Sequence, residues 1–131
     1  MQIAIVGLGR MGANIGRRLI KHGHQVVGFD ANQAAVKALE GATPAASLVD
    51  VVKALSPPRA VWVMLPAGKI TEETIEQLGG LLSHGDVIID GGHLFLQGVG
   101  HGFSIRRQEC REIRVYTKNP QKHAIRAAKP R

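Results

Sequence analysis

The chain has 131 residues, 44% of them apolar, and a formal net charge of +7; that is enough apolar material for one compact core and too little length for two ordinary domains. A single cysteine, Cys110, excludes an intrachain disulfide, so nothing points to an oxidising compartment and the cytoplasm is the default expectation. Met1 to Gly9 is apolar but far too short to cross a membrane, and it lacks the basic start and cleavage site of a secretory leader. It reads as a buried strand.

The charge is unevenly placed. From Met1 to Gly92 eight Lys/Arg balance eight Asp/Glu, whereas from His93 to Arg131 nine basic residues face two acidic ones, which accounts for the whole net charge. Two unlike segments are therefore expected, a domain over 1–92 and a basic tail over 93–131.

In chain order, Gln2 to Val6 is an Ile/Val-rich run closed by Gly7, as in a parallel strand covered on both faces. Met11, Ile15 and Leu19 then recur every four residues among Arg10, Arg17, Arg18 and Lys21, the pattern of an amphipathic helix ending near Gly23. Gln25 to Phe29 predicts a second strand ending at Asp30, and Gln33 to Glu40 a short helix stopped by Gly41. Residues 42–46 carry a weak strand signal. Ser47 with Asp50 three positions on starts a helix that runs to about Leu55, before Pro57 and Pro58 break it. Ala60 to Leu65 predicts a third strong strand, Thr71 to Leu82 a helix with Ile75, Leu78 and Leu82 on one face, and Asp86 to Asp90 a further buried strand. Strands alternating with helices over short connections imply a doubly wound α/β sheet, because parallel strands need a crossover. Past Gly92 the regularity stops, and an irregular or disordered tail is expected.

Gly7, Gly9 and Gly12 form G-x-G-x-x-G between a strand and a helix. In such a turn the first glycine permits the bend, the second lets the backbone approach a pyrophosphate and the third lets helix pack on strand. The helix start adds N–H donors and the positive end of its dipole. This is the Rossmann dinucleotide-binding signature, and Gly7, Leu8, Gly9, Arg10, Met11 and Gly12 are its candidate residues. Asp30, 23 positions after Gly7, is placed to accept hydrogen bonds from the adenosine ribose. With no Arg or Lys among Ala31, Asn32 and Gln33 to receive a 2′-phosphate, NAD is expected over NADP. A solvated turn residue or a helix cap is the plainer reading of the same aspartate. Met64, Leu65, Pro66 and Ala67 follow one strand, and Asp90, Gly91 and Gly92 follow another; both groups are either crevice-facing loops or ordinary turns.

The stretch IAIVGLGRMGANIGRRLIKHGHQVVGFDAN resembles the amino-terminal signature shared by 3-hydroxyisobutyrate and 6-phosphogluconate dehydrogenases. PPRAVWVMLPAG followed by GDVIIDGG is similar to the 6-phosphogluconate branch, especially its shorter forms that often use NAD, and the resemblance covers Met1 to Gly92. It implies that Met64 to Gly68 lies near the nicotinamide and that Asp90, Gly91 and Gly92 border the sugar phosphate. The implied reaction is oxidation of 6-phosphogluconate at C3 with hydride transfer, then decarboxylation. The family usually follows DGG with Asn and Ser, where this chain has His93 and Leu94; neither its catalytic lysine and glutamate nor its large helical domain can be matched in 93–131. No catalytic or metal-ligating residue is therefore assigned, and activity of this chain alone is not expected. The change at Gly92 is what a truncated or frameshifted gene would produce. Arg106, Arg107, Arg111, Arg114, Lys118, Lys122, Arg126, Lys129 and Arg131 invite comparison with nucleic-acid binders, but only Tyr116 lies among them and no known motif does, which weighs against such a partner.

Overall fold

The computed structural model describes residues 1–66 and 68–91, together with the backbone of 114–118 and 125–127 as two further strands. The elements are β1 (Gln2–Val6), α1 (Arg10–Lys21), β2 (Gln25–Phe29), α2 (Gln33–Ala38), β3 (Thr43–Pro44), α3 (Leu48–Ala54), β4 (Ala60–Val63), α4 (Lys69–Leu81), β5 (Val87–Asp90), β6 (Arg114–Lys118) and β7 (Ile125–Ala127). The sheet runs β3-β2-β1-β4-β5-β6-β7, parallel through its first five strands. This is a Rossmann-like fold.

The two faces of the sheet follow from alternation along each strand. Ala4, Val6, Val27, Val61, Val63 and Ile88 form one core with Val51, Val52 and Leu55 of the α3 region and Ile75, Leu78 and Leu82 of the α4 region. Ile3, Ile5 and Val26 face the other way, onto Ile15, Leu19 and Ile20 of α1 and Val36 and Leu39 near α2. Helices thus cover both faces, and burial of each large apolar side chain contributes about 1.5–3 kcal/mol.

Topology then places the site. The chain steps outward from β1 to β2 and β3, and returns past β1 to build β4 and β5 on its other side, so the strand order reverses between β1 and β4. The register is level there: Val6 pairs with Phe29 and with Val63, and Val63 with Asp90. Gly7, Asp30, Met64 and Gly91 consequently leave the sheet side by side at the carboxyl ends of the strands, the region where open α/β sheets bind ligands.

The opposite end of the sheet is closed by polar bonds. Asp86, whose side chain has no exposed surface, accepts from the Arg59 amide (2.7 Å), the Ser83 amide (2.8 Å) and Arg59 Nη1 (3.1 Å). Arg59 Nε donates to the carbonyls of Val52 and Leu55. Burial by itself pushes the Asp86 carboxyl up; the two amides, the guanidinium bond and its charge outweigh that and hold it below the ordinary value. Gln2 Nε2 donates to the Ala54 carbonyl and Gln2 Oε1 accepts from the Ser56 amide, which ties β1 to the end of α3.

Two segments of the basic tail depart from the irregular structure expected of it. β6 pairs antiparallel with β5, and β7 with β6. Val115, Tyr116 and Thr117 are strand-favouring residues, and β5 otherwise presents an unpaired edge. Ala67, Gly92, His93 and the tail cations other than those of β6 and β7 lie outside the described residues. Element ends shift slightly: α4 starts two residues before Thr71, and α2 stops at Ala38, short of Glu40.

Candidate cofactor site

The β1–α1 turn is built from glycines with different duties. Gly7 has φ +98°, a conformation other residues rarely adopt, and its amide donates to the Phe29 carbonyl (2.9 Å). A Cβ on Gly12 would overlap the Gly7 carbonyl, so α1 and the turn pack at backbone distance. Gly9 is the N-cap of α1 and makes no side-chain cap. Nothing lies within 4 Å of the position its Cβ would take. The first amide of α1 to find an acceptor is that of Ala13, bonded to the Gly9 carbonyl (2.9 Å). The helix therefore opens on a space of backbone width, with its unpaired N–H groups and positive dipole end directed there, which suits a pyrophosphate.

Asp30 stands beside this opening. Its Oδ2 accepts from the Leu8 amide (2.7 Å) and its Oδ1 from the Asn32 amide (2.8 Å). Leu8 is buried, with 4% exposure, and serves the site from within, whereas Arg10 and Met11 are exposed on the first turn of α1. Asn32 caps α2 through the Ala34 amide, so the cap suggested for Asp30 falls to its neighbour two residues on.

On the far side of the crevice the Met64 amide donates to the Val6 carbonyl (2.7 Å) and the Gly91 amide to the Val63 carbonyl (3.0 Å). Pro66 is held by Thr71 Oγ1, which donates to its carbonyl (2.7 Å). Asp90 is 1% exposed, and Gly91 packs on Trp62 and Met64 so tightly that a Cβ would strike both side chains. The sequence-predicted residues that fall within the description thus gather along one end of the sheet. Asp90 sits inside it, not on its surface.

A cleft of about 640 Å³ runs from Gly7 and Asp30 between α3 and α4, a size usual for small-molecule sites. Besides Val6, Phe29, Ala31 and Leu65 it is walled by Ser47, Leu48 and Val49 at the start of α3, and by Ile70, Thr74, Gln77 and Leu81 of α4. Sequence reading missed these walls. Their signal was present: residues 70, 74, 77 and 81 form a helical stripe one position before the buried stripe 71, 75, 78 and 82. Val49, Ile70 and Leu81 are exposed apolar side chains, and among the described residues lining the cleft Asp30 is the single titratable one. Among the described residues no cluster of His, Cys, Asp or Glu could hold a metal, and no helix is long and apolar enough to cross a membrane.

The family described as the NAD binding domain of 6-phosphogluconate dehydrogenase matches residues 2–100. The chain belongs to this family. The match to the family model runs eight residues past Gly92, into the glycine-broken stretch where the sequence offers no motif. YqeC of Bacillus subtilis is 46% identical over 95 residues, 71% of this chain and 32% of its own. The NAD(+)-dependent, decarboxylating 6-phosphogluconate dehydrogenase of Haloferax volcanii is 39% identical over 112 residues, 84% of this chain and 36% of its own. Among solved structures, the 3-hydroxyisobutyrate dehydrogenase of Mycobacterium tuberculosis superposes with a TM-score of 0.62 at 27% identity, over 71% of this chain and 32% of that one. The chain spans about a third of the length of these relatives.

Proposed function

We propose that this chain binds NAD in preference to NADP, as the cofactor-binding part of an oxidoreductase acting on 6-phosphogluconate. The observation that carries the cofactor choice is Asp30. Each of its oxygens accepts one backbone amide and keeps lone pairs that ribose hydroxyls can use. A 2′-phosphate would instead bring negative charge against this carboxylate, with no cation in Ala31, Asn32 or Gln33 to offset it. The apolar walls at Val49, Ile70 and Leu81 suit the faces of an adenine ring, and the open space at Gly9 suits the pyrophosphate. That the Haloferax relative is NAD(+)-dependent agrees with the same choice.

When bound, the nicotinamide supplies the hydride acceptor. The chain's own part is to bind and orient it: the α1 amides hold phosphate, Asp30 holds ribose, and Met64 to Pro66 border the reacting end. Among the described residues lining the cleft there is no Lys, His or Glu to take or give a proton, and the family's catalytic lysine and glutamate are not matched in 93–131, so this chain alone is expected not to oxidise 6-phosphogluconate. Calorimetry on the purified chain is expected to give NAD a Kd at least about 10-fold below that of NADP, about 1.4 kcal/mol; tighter NADP binding rejects the assignment. Turnover near about 1 s⁻¹ with 6-phosphogluconate, within the ordinary enzyme range, would reject the inactivity.

A 3-hydroxyisobutyrate dehydrogenase-like role is the second reading, favoured by the superposition on the Mycobacterium tuberculosis enzyme. Trp62, the only tryptophan, packs against Gly91, so its emission discriminates the two. The first reading expects a response of the NAD-loaded chain to 6-phosphogluconate and none to 3-hydroxyisobutyrate.

A further inference from the structure

The geometry points to Asp30 as a positioning residue for the phosphate-binding turn, through its bond to the Leu8 amide, in addition to its part in choosing the cofactor. This rests on the cofactor reading above only where binding is concerned. The end of β2 grips the turn by two consecutive amides: Gly7 donates to the Phe29 carbonyl (2.9 Å) and Leu8 to Asp30 Oδ2 (2.7 Å). The first bond needs no particular side chain at position 29. The second exists only because a carboxylate stands at position 30, 22 residues from its donor.

The same residue is fixed in its own loop, because its carboxylate Oδ1 accepts the Asn32 amide (2.8 Å) and its backbone carbonyl accepts Gln33 Nε2 (3.2 Å). A loop anchored this way holds Oδ2 still, and Oδ2 in turn holds Leu8. Leu8 lies between Gly7, whose conformation makes the bend, and Gly9, whose empty flank receives the ligand. Its side chain is buried, so rotating the amide away from Asp30 would drag a core residue with it. Asp30 therefore sets the plane of the peptide that leads into Gly9. Its loss should weaken every ligand that uses the turn, whether or not that ligand carries ribose hydroxyls.

A residue that touched only ribose would behave otherwise, and two measurements on the full chain separate the cases. In the cofactor-free protein, hydrogen exchange of the Leu8 amide is expected to be protected, and Asp30→Ala should cut that protection by about 10-fold or more, as for a lost bond to a charged group. Asp30→Asn, which keeps one acceptor oxygen but cannot serve both amides, should fall between. The second measurement compares NAD with its analogue lacking the adenosine 2′- and 3′-hydroxyls. Asp30→Ala is expected to weaken both by about 10-fold or more. Unchanged Leu8 exchange overturns the inference, and so does an analogue whose affinity ignores the substitution. If the unmodified chain binds neither dinucleotide while Leu8 protection still depends on Asp30, the cofactor reading fails and the positioning role stands.

Discussion

The two ends of the parallel sheet make opposite use of the same kinds of group. Where the strands begin, Asp86 satisfies two amides and a guanidinium, Arg59 also serves two carbonyls, and Gln2 both donates and accepts. Where they end, α1 starts with unpaired amides, Asp30 keeps accepting capacity in reserve, and Val49, Ile70 and Leu81 stay exposed along a cleft. Both ends carry an aspartate bonded to backbone amides; one is sealed inside the protein and the other borders an opening. A buried polar network that is fully satisfied stabilises a fold, whereas groups left unsatisfied at a crevice are available to a ligand.

The comparison breaks most visibly at Arg59. Arg59→Ala leaves the Asp86 carboxylate buried without its countercharge, and a loss of about 3–5 kcal/mol is expected in denaturant unfolding, with NAD affinity of the folded fraction unchanged. Gly9→Val should do the reverse. The new Cβ has nothing in the protein within 4 Å while the side chain fills the space assigned to pyrophosphate, so stability should fall by no more than the about 1 kcal/mol of a poorer N-cap while NAD affinity drops by about 100-fold or more, equivalent to about 2.7 kcal/mol. Retained affinity would move the phosphate elsewhere.

Acid sharpens the same contrast. The folded Asp86 carboxyl lies below the unfolded value, which is about 3.9, so its contribution is complete above that pH and is lost as pH falls through the folded value. Unfolding free energy should decline below about pH 4, and Arg59→Ala, which keeps both amide bonds to Asp86 and removes the guanidinium bond and its charge, should lessen that decline. The smallest effect belongs to Ser47, whose Oγ accepts the Asp50 amide (3.1 Å) at the start of α3. Ser47→Ala should cost about 1 kcal/mol, read as a lower thermal midpoint; because the hydroxyl also lies in the cleft wall, a change in NAD affinity would add a contact to the site.

What the sequence discloses follows the distance over which each interaction acts. The glycine turn, the Ser47 cap and the buried stripe of α4 are local patterns, and each is found where its spacing predicts. The Leu8–Asp30 and Arg59–Asp86 bonds join residues 22 and 27 apart and depend on which strands lie side by side, which no periodicity encodes. Thr74 and Gln77 were hidden for another reason. A hydrophobic period reports which face of a helix is buried, and a polar position next to that face looks the same whether it borders a cleft or bulk water. β6 and β7 were missed because Val115 to Thr117 is a short run among charges, and its pairing depends on the free edge of β5.

If, as proposed, one carboxylate both holds the turn and disfavours a phosphorylated ribose, the two properties cannot be altered independently at position 30. Lineages or engineers seeking the phosphorylated cofactor would lose the frame of the binding loop by deleting the acid. The accessible route is to keep Asp30 and introduce a guanidinium beside it, at Ala31 or Gln33, where side chains are exposed to solvent. In such a protein the older preference would persist as a background against which the new one is added, and dual cofactor use would be the natural intermediate.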